Sequence, residues 1–308
     1  MAAASFGVML HNFIDARHAA VPGAITADQF RQIIARIGRE NILGANEWLE
    51  EFRSTGRQPT KTVLTFDDAL LSQYDVALPI LREQGLDAFW FVYTAPLQGE
   101  RPPLEVYRFF RSLAFDDFEG FFSGFLRACE AAGYGDAIRA ARADFVARRY
   151  LADYAFYSEH DRWFRYIRDV LLKEANYDVV MLRLMKDMDF SVDEIADSLW
   201  INDAQARALH EEGHILGLHS HTHPIRIEDG DYDMQKREYS ANALHLQRIM
   251  DRPATVMAHP TNSYNDDTLS ILRDMGVEVG FRANNVLDTY SVLEIPRIDH
   301  TSLLEPGA

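Results

Sequence analysis

One cysteine, Cys129, stands in 308 residues. It excludes an internal disulfide and a zinc site built on several cysteines, and it fits a reducing compartment. Basic residues are scarce: 31 Lys and Arg against 47 Asp and Glu, a formal net charge of −16. With no basic stripe to displace counterions from phosphates, no nucleic-acid partner is expected, although a small anionic substrate stays open. No segment reaches the ~18 apolar residues that span a bilayer, so no membrane association is expected. The chain's first residues carry no basic region, and their apolar stretch breaks at His11-Asn12. That is too short for a secretion signal, and a cytoplasmic location is the expectation. Repeats, low-complexity tracts and linkers are missing as well. What remains, 47% hydrophobic and 25% charged residues, is ordinary for a globular protein with a full core.

The pattern along the chain alternates strand and helix. Residues 6–11 read as a short buried strand. Thr26 or Asp28 then caps a helix with Phe30, Ile33, Ile34 and Ile37 on one face. Residues 63–66 form a second strand ending in Asp67-Asp68, 74–83 a helix stopped by Gly85, and 88–93 an aromatic strand. Such alternation predicts parallel pairing through crossover helices, with functional groups at the carboxyl ends of strands. From about Pro102 to Met188 the pattern is helical only. An aromatic-rich run from Phe109 to Phe125 reads as helical core, with a ligand wall as the alternative. An Ala/Arg-rich helix and a helical stretch at 154–172 follow. Residues 191–194 look like a capping box, and Asn202 caps a helix ending near Gly213. Strands return at 215–218, 255–258 and 277–281, helices at 232–250 and 266–275, and an extended segment at 291–298. One domain over 1–308 with a helical insertion at 98–204 is expected, the insertion serving as a lid or as a homo-oligomer contact.

Two clusters carry chemistry. Three of the 11 histidines fall in Gly217-Leu218-His219-Ser220-His221-Thr222-His223-Pro224. The four-residue spacing of His219 and His223 turns both rings to one side of a tight loop or helical turn, as a metal requires. The bland alternative is a pair of surface helix residues. Ser220 and Thr222 can bond neighbouring backbone and fix the loop. Upstream, Thr65-Phe66-Asp67-Asp68 sets two carboxylates side by side. They repel unless a cation or hydrogen bonds offset them, or they serve as a helix cap and first-turn charge. In extended chain the two side chains diverge, so one can bind a metal while the other faces an attacking water.

Thr65-Phe66-Asp67-Asp68 resembles the first motif of the polysaccharide deacetylases (carbohydrate esterase family 4, the nodulation-type deacetylases), usually Thr-Phe-Asp-Asp-Gly. His219-Ser220-His221-Thr222-His223-Pro224 resembles their second motif, and Ala258-His259-Pro260-Thr261-Asn262-Ser263-Tyr264-Asn265 is similar to a third segment. The resemblance covers roughly 6–97 and 205–300. It implies an irregular α/β fold, a (β/α) barrel of the deacetylase type with a long all-helical insertion. It implies that Asp68, His219 and His223 bind one divalent metal, most often zinc, and that Asp67 is the general base. The Thr261 N–H would help hold the oxyanion. Most members draw the catalytic acid from a late Leu-x-His motif, absent here. In a permuted type of the family that histidine lies on the first strand, which makes His11 the acid, with Asp299 orienting it and Arg297 holding the base. His300 is the rival acid, and a satisfied strand histidine is the bland reading of His11. Ala69 stands where Gly is usual. His259 and Thr261 alter the wall that stacks on a sugar.

The implied activity is hydrolysis of an N-acetyl or N-formyl group from a small soluble amino sugar, free or nucleotide-linked, or from another acylated metabolite. Arg101, Arg108, Arg111 and Arg162 would then either meet a phosphate or simply be solvated. Two alternatives are hydrolysis of a cyclic amide or imide, and a non-catalytic metal-containing binding protein.

Overall fold

The computed structural model describes residues 6–151, 158–286 and 291–304. By its contacts the chain forms two compact units, residues 1–102 with 198–308, and residues 103–197.

The first unit is built on parallel strands: β1 (Gly7–Leu10), β2 (Ile42–Leu43), β3 (Thr62–Asp67), β4 (Phe89–Val92), β5 (Ile215–Leu218), β6 (Val256–Ala258), β7 (Val279–Phe281) and β8 (Arg297–Asp299). Their order is β7-β6-β5-β4-β3-β1-β8, with β2 beside β3. A parallel bridge from Phe281 to Ile295, two residues before β8, brings the ends of the sheet together. The result is a nearly closed (β/α) barrel. Short strands rich in Val, Leu, Ile and Phe, buried on both faces, are what a parallel sheet covered by helices demands.

Alternation along each strand sorts the side chains into two sets. Val8, Leu10, Leu64, Phe66, Trp90, Val92, Leu216, Leu218 and Met257 pack outward against helices. Val63, Phe89, Phe91, Ile215, Val256, Ala258, Val279, Phe281 and Ile295 fill the interior. The helix Ala45–Thr55 joins that interior set through Trp48, Leu49 and Phe52. Trp48 meets Phe89 edge-on at 5.8 Å. Gly217 is small because it faces this interior: a Cβ there would sit 2.6 Å from the Phe91 ring.

The helix Ala27–Ile37 opens with a capping box between Thr26 and Gln29, so Thr26 is the cap and Asp28 a first-turn charge. Residues 74–83 begin as a π-helical turn before the helix Leu78–Gln84, which Gly85 ends in the left-handed conformation.

The second unit is helical, with its longer helices at Pro103–Ala114, Phe118–Ala131, Gly135–Asp144 and Lys173–Asp187. Phe110, Phe121 and Phe125 are buried, and Phe125 packs on Phe164 and Tyr177. The aromatic run is therefore core. Of the stretch expected to be helical at 154–172, residues 154–157 lie outside the described residues; helix begins at Glu159. The Ser191 side chain makes no capping bond, so the box expected at 191–194 does not form and its helix is only Val192–Ala196. Arg162 is buried and donates to the carbonyls of Tyr150 and Leu151. Arg108 pairs with the buried Glu105, and Arg111 lies over the Phe118 and Phe121 rings. Arg162 and Arg111 thus tie different segments of this unit to one another, whereas Arg108 pairs within its own helix and stays partly exposed. No helix among the described residues is long and apolar enough to cross a membrane.

Candidate metal centre

Parallel strands deliver their carboxyl ends to one rim. β3 delivers Asp67 and Asp68, β5 delivers His219 to His223, β1 delivers His11, and β8 carries Arg297 and Asp299. Register places Gly7 beside both Val63 and Arg297, and Met9 beside both Thr65 and Asp299. The interior alternation therefore runs Met9–His11, Thr65–Asp67 and Arg297–Asp299 toward one spot.

The chain turns sharply after β3. Asp68 (φ 76°) and Ala69 (φ 54°) are both left-handed, a conformation that costs about 1–2 kcal/mol per non-glycine residue. The buried Gln73 braces this turn. Its Nε2 donates to the carbonyls of Asp67 (2.6 Å) and His11 (2.8 Å), and its Oε1 accepts from the Leu70 N–H. Asp67 and Asp68 consequently point to different partners. Asp67 receives a two-pronged bond from Arg297, both contacts 2.7 Å, with both side chains buried. Arg297 also donates to Thr65 Oγ1 and the Arg282 carbonyl, so its fork has one orientation. Burial alone would raise the pKa of Asp67; the Arg297 charge, with His219 and His11, outweighs it and holds the carboxyl below its ordinary value.

Asp68 turns the other way. Its Oδ1 lies 3.3 Å from Nε2 of His219 and 3.3 Å from Nε2 of His223, and no well-formed hydrogen bond reaches it. The ligand atoms of Asp68, His219 and His223 all lie within 4.8 Å of one another, and all three residues are buried. A carboxylate oxygen and two imidazole nitrogens, converging without hydrogen bonds of their own, suit a divalent cation such as zinc. Burial opposes charging of Asp68, but the two histidines hold its pKa well below the usual range. Burial likewise opposes protonation of His219, and the two carboxylates overcome it, raising that pKa. An incoming cation competes for these sites with protons.

The His loop is not helical. Ser220 and His223 take left-handed φ of 60° and 59°, and the Ser220 hydroxyl accepts from the His223 N–H. His219 Nδ1 donates to the Ala258 carbonyl at 2.8 Å, leaving Nε2 as the ring atom turned toward Asp68 and open to a cation. Thr222 bonds a side chain rather than backbone: its hydroxyl donates to Glu238, which also accepts the N–H groups of His221 and Thr222. Asn242 accepts the His219 N–H and donates to the Val92 carbonyl, joining β4 to β5. Glu238 and Asn242 went unnoticed in the sequence. Their signal is a polar stripe at helical spacing, Gln235, Glu238, Asn242 and His245, on the helix Tyr232–Met250.

His11 is partly exposed, with Nε2 3.8 Å from Asp67 Oδ2 and 3.9 Å from Asp68 Oδ2. Asp299 accepts from the Thr301 N–H and hydroxyl, and the positive charges of His300 and His11 help hold its pKa down against burial. His300 is buried, its ring nitrogens facing the carbonyls of Met9 (3.2 Å) and Gly23 (2.9 Å). Thr261 stands in an exposed turn after β6 with φ 51°, its hydroxyl donating to the Ile225 carbonyl. His259 forms no wall: it is fully buried, donates to the Leu293 carbonyl and stacks under Tyr264, and burial pushes its pKa down to about 4.

The sequence profile described as "Polysaccharide deacetylase" matches residues 176–280, a stretch that takes in the second motif and leaves the first outside. No curated protein matches the chain. Among solved structures, the Streptococcus pyogenes deacetylase PplD, in complex with acetate, is 16% identical with a TM-score of 0.54, covering 95% of this chain and 90% of that one. IcaB from Ammonifex degensii is 13% identical with a TM-score of 0.56, covering 96% and 91%. A de-N-acetylase from Aggregatibacter actinomycetemcomitans is 11% identical with a TM-score of 0.56, covering 97% and 99%. At such identities the structural likeness is one of fold. The profile match over residues 176–280, the fold and the two motifs in their order make this chain similar to the polysaccharide deacetylases.

Proposed function

We propose that the protein is a metal-dependent N-deacylase that removes an acetyl or formyl group from an amino sugar. The observation that carries this reading is the pair of neighbouring carboxylates in different states of engagement. Asp68 Oδ1 faces two imidazole nitrogens, while Asp67 is held ionised beside it by Arg297. Asp68, His219 and His223 would hold the metal, which when bound polarises an acyl carbonyl and lowers the pKa of water.

The remaining roles fall to the chain itself. Asp67 accepts a proton from the attacking water, and the Arg297 fork fixes its carboxylate plane and keeps it deprotonated. His11, open to solvent and close to both aspartates, donates a proton to the departing nitrogen, with Asp299 within electrostatic reach to orient it. The Thr261 N–H, in its left-handed turn, supplies a donor to the oxyanion. His300, enclosed by two carbonyls, is the poorer acid.

The substrate we favour is a small soluble amino sugar, free or nucleotide-linked. The relatives named as polysaccharide or de-N-acetylases make an oligosaccharide the comparison that matters. The test is acetate and formate release from a panel of N-acylated sugars, nucleotide sugars and oligosaccharides, with chelated and zinc-reconstituted protein. Zinc-dependent release, lost in Asp67→Asn with metal still bound, is the expected result. Normal turnover by Asp67→Asn would remove Asp67 from the role of base. Silence across the panel would refute the deacylase reading.

A further inference from the structure

The segment that returns to the barrel at 198–202 touches both metal-binding motifs. Trp200 forms an antiparallel bridge with Leu70, two residues past Asp68. On either side of it the Leu71 N–H donates to the Leu199 carbonyl (2.7 Å), and the Ile201 N–H to the Ala69 carbonyl (3.0 Å). The Trp200 side chain reaches the other motif. Its indole N–H donates to the Tyr93 hydroxyl at 2.5 Å, the two rings meet edge-on, and the buried Tyr93 ring lies 5.1 Å from that of His223.

This tryptophan differs from the others in the chain. Of the four, Trp48 and Trp90 are 1% exposed and Trp163 is 5% exposed, whereas Trp200 is partly open to solvent. Its only polar atom is already spent on Tyr93, so what it offers to solvent is apolar ring. A large ring fixed by backbone on both sides and by its N–H gives contact area at little cost in side-chain entropy. In the segment after β6, Thr261 is occupied with Ile225, His259 is buried, and the partly exposed Tyr264 ring is stacked on His259 and tied through its hydroxyl to Glu294.

We infer that Trp200 is a substrate platform, the surface on which the apolar face of a pyranose ring rests while its acyl group lies at the Asp68–His219–His223 centre. The inference rests on the amino-sugar reading above and adds a subsite to it. Trp200 contacts substrate and leaves the metal ligands untouched.

The test uses the full-length, zinc-loaded protein and tetra-N-acetylchitotetraose as the probe, with Trp200→Leu and Trp200→Phe as variants. Equal zinc content across the three proteins verifies that the centre is intact. Because Trp200 is the partly exposed indole, the oligosaccharide is expected to change tryptophan emission saturably in the wild type and not in either variant. For Trp200→Leu we expect KM for acetate release to rise about tenfold with kcat little changed, the worth of roughly 50–60 Å² of apolar surface no longer buried. Trp200→Phe, which keeps a flat ring, should recover part of that. Acetate release with an unchanged KM in Trp200→Leu, or a wild-type emission that ignores the oligosaccharide, overturns the platform and leaves the deacylase reading standing. A saturable emission change confined to the wild type, without acetate release, supports the platform while removing the hydrolase.

Discussion

Arg297 is the residue whose loss the structure prices most directly. Its guanidinium is wholly buried, it grips both oxygens of Asp67 at 2.7 Å, and Asp67 itself is 3% exposed. Arg297→Met removes the cation and leaves a carboxylate stranded without water. Breaking a buried pair in this way costs about 3–5 kcal/mol, a large share of the roughly 5–15 kcal/mol that holds a protein folded. At about 2–4 °C per kcal/mol, the scale of domains of up to about 250 residues, the midpoint should fall by roughly 10 °C. Arg297→Lys keeps a charge but not the fork, and should fall in between. The double variant Arg297→Met/Asp67→Asn removes the stranded charge as well and should recover about 2 kcal/mol or more. Urea unfolding of chelator-treated protein is the assay, since bound metal would add its own mass-action stability. A double variant no more stable than Arg297→Met would refute the argument, because the cost would then lie in lost packing and not in an orphaned charge.

Three further outcomes follow from the same geometry. Asn242→Ala removes the acceptor of the His219 N–H and the tie to Val92, so zinc affinity by isothermal titration should fall about 10–100-fold; an unchanged affinity would mean that Ala258 alone positions His219. Gly217→Ala would press a methyl to 2.6 Å from the Phe91 ring and 2.9 Å from Val256, and overpacking of this kind costs about 1–3 kcal/mol, read as a lowered midpoint. His214 is buried, accepts the Ala88 N–H, and has its pKa lowered from 6.5 to about 4 by burial. The unfolded chain therefore binds one more proton than the folded one between those values. Stability is fully present above pH 6.5 and falls by about 3 kcal/mol as pH drops toward 4; His214→Asn, which can still accept that N–H, should flatten the slope by one proton in urea titrations at several pH values.

Much of the barrel and its rim was legible because a parallel strand speaks with a period of two. Once residues 63–66 and 215–218 are recognised as strands, alternation sends Thr65 and Asp67 to the face shared with Gly217 and His219. Parallel pairing then brings both strand ends to the same rim. The helix Ala45–Thr55 escaped notice although Ala45, Trp48, Leu49 and Phe52 repeat at helical spacing. Its cap is Gly44, with no side chain to announce a start, and β2 is two residues long. The supports of the centre escaped for a deeper reason. On a helix, polar residues at i, i+3, i+7 and i+10 ordinarily mark the solvent face. Gln235, Glu238, Asn242 and His245 make that pattern, yet Gln235 and Asn242 are fully buried. What inverts the reading is the demand of the loop after β5. Its turn at Ser220 leaves the N–H groups of His219, His221 and Thr222 without strand partners, and the polar face of this helix accepts them. Trp200 carries no periodic signal, because an isolated bridge has none. A sequence thus reveals site residues that regular elements project, and conceals those recruited by the irregular backbone such a site requires.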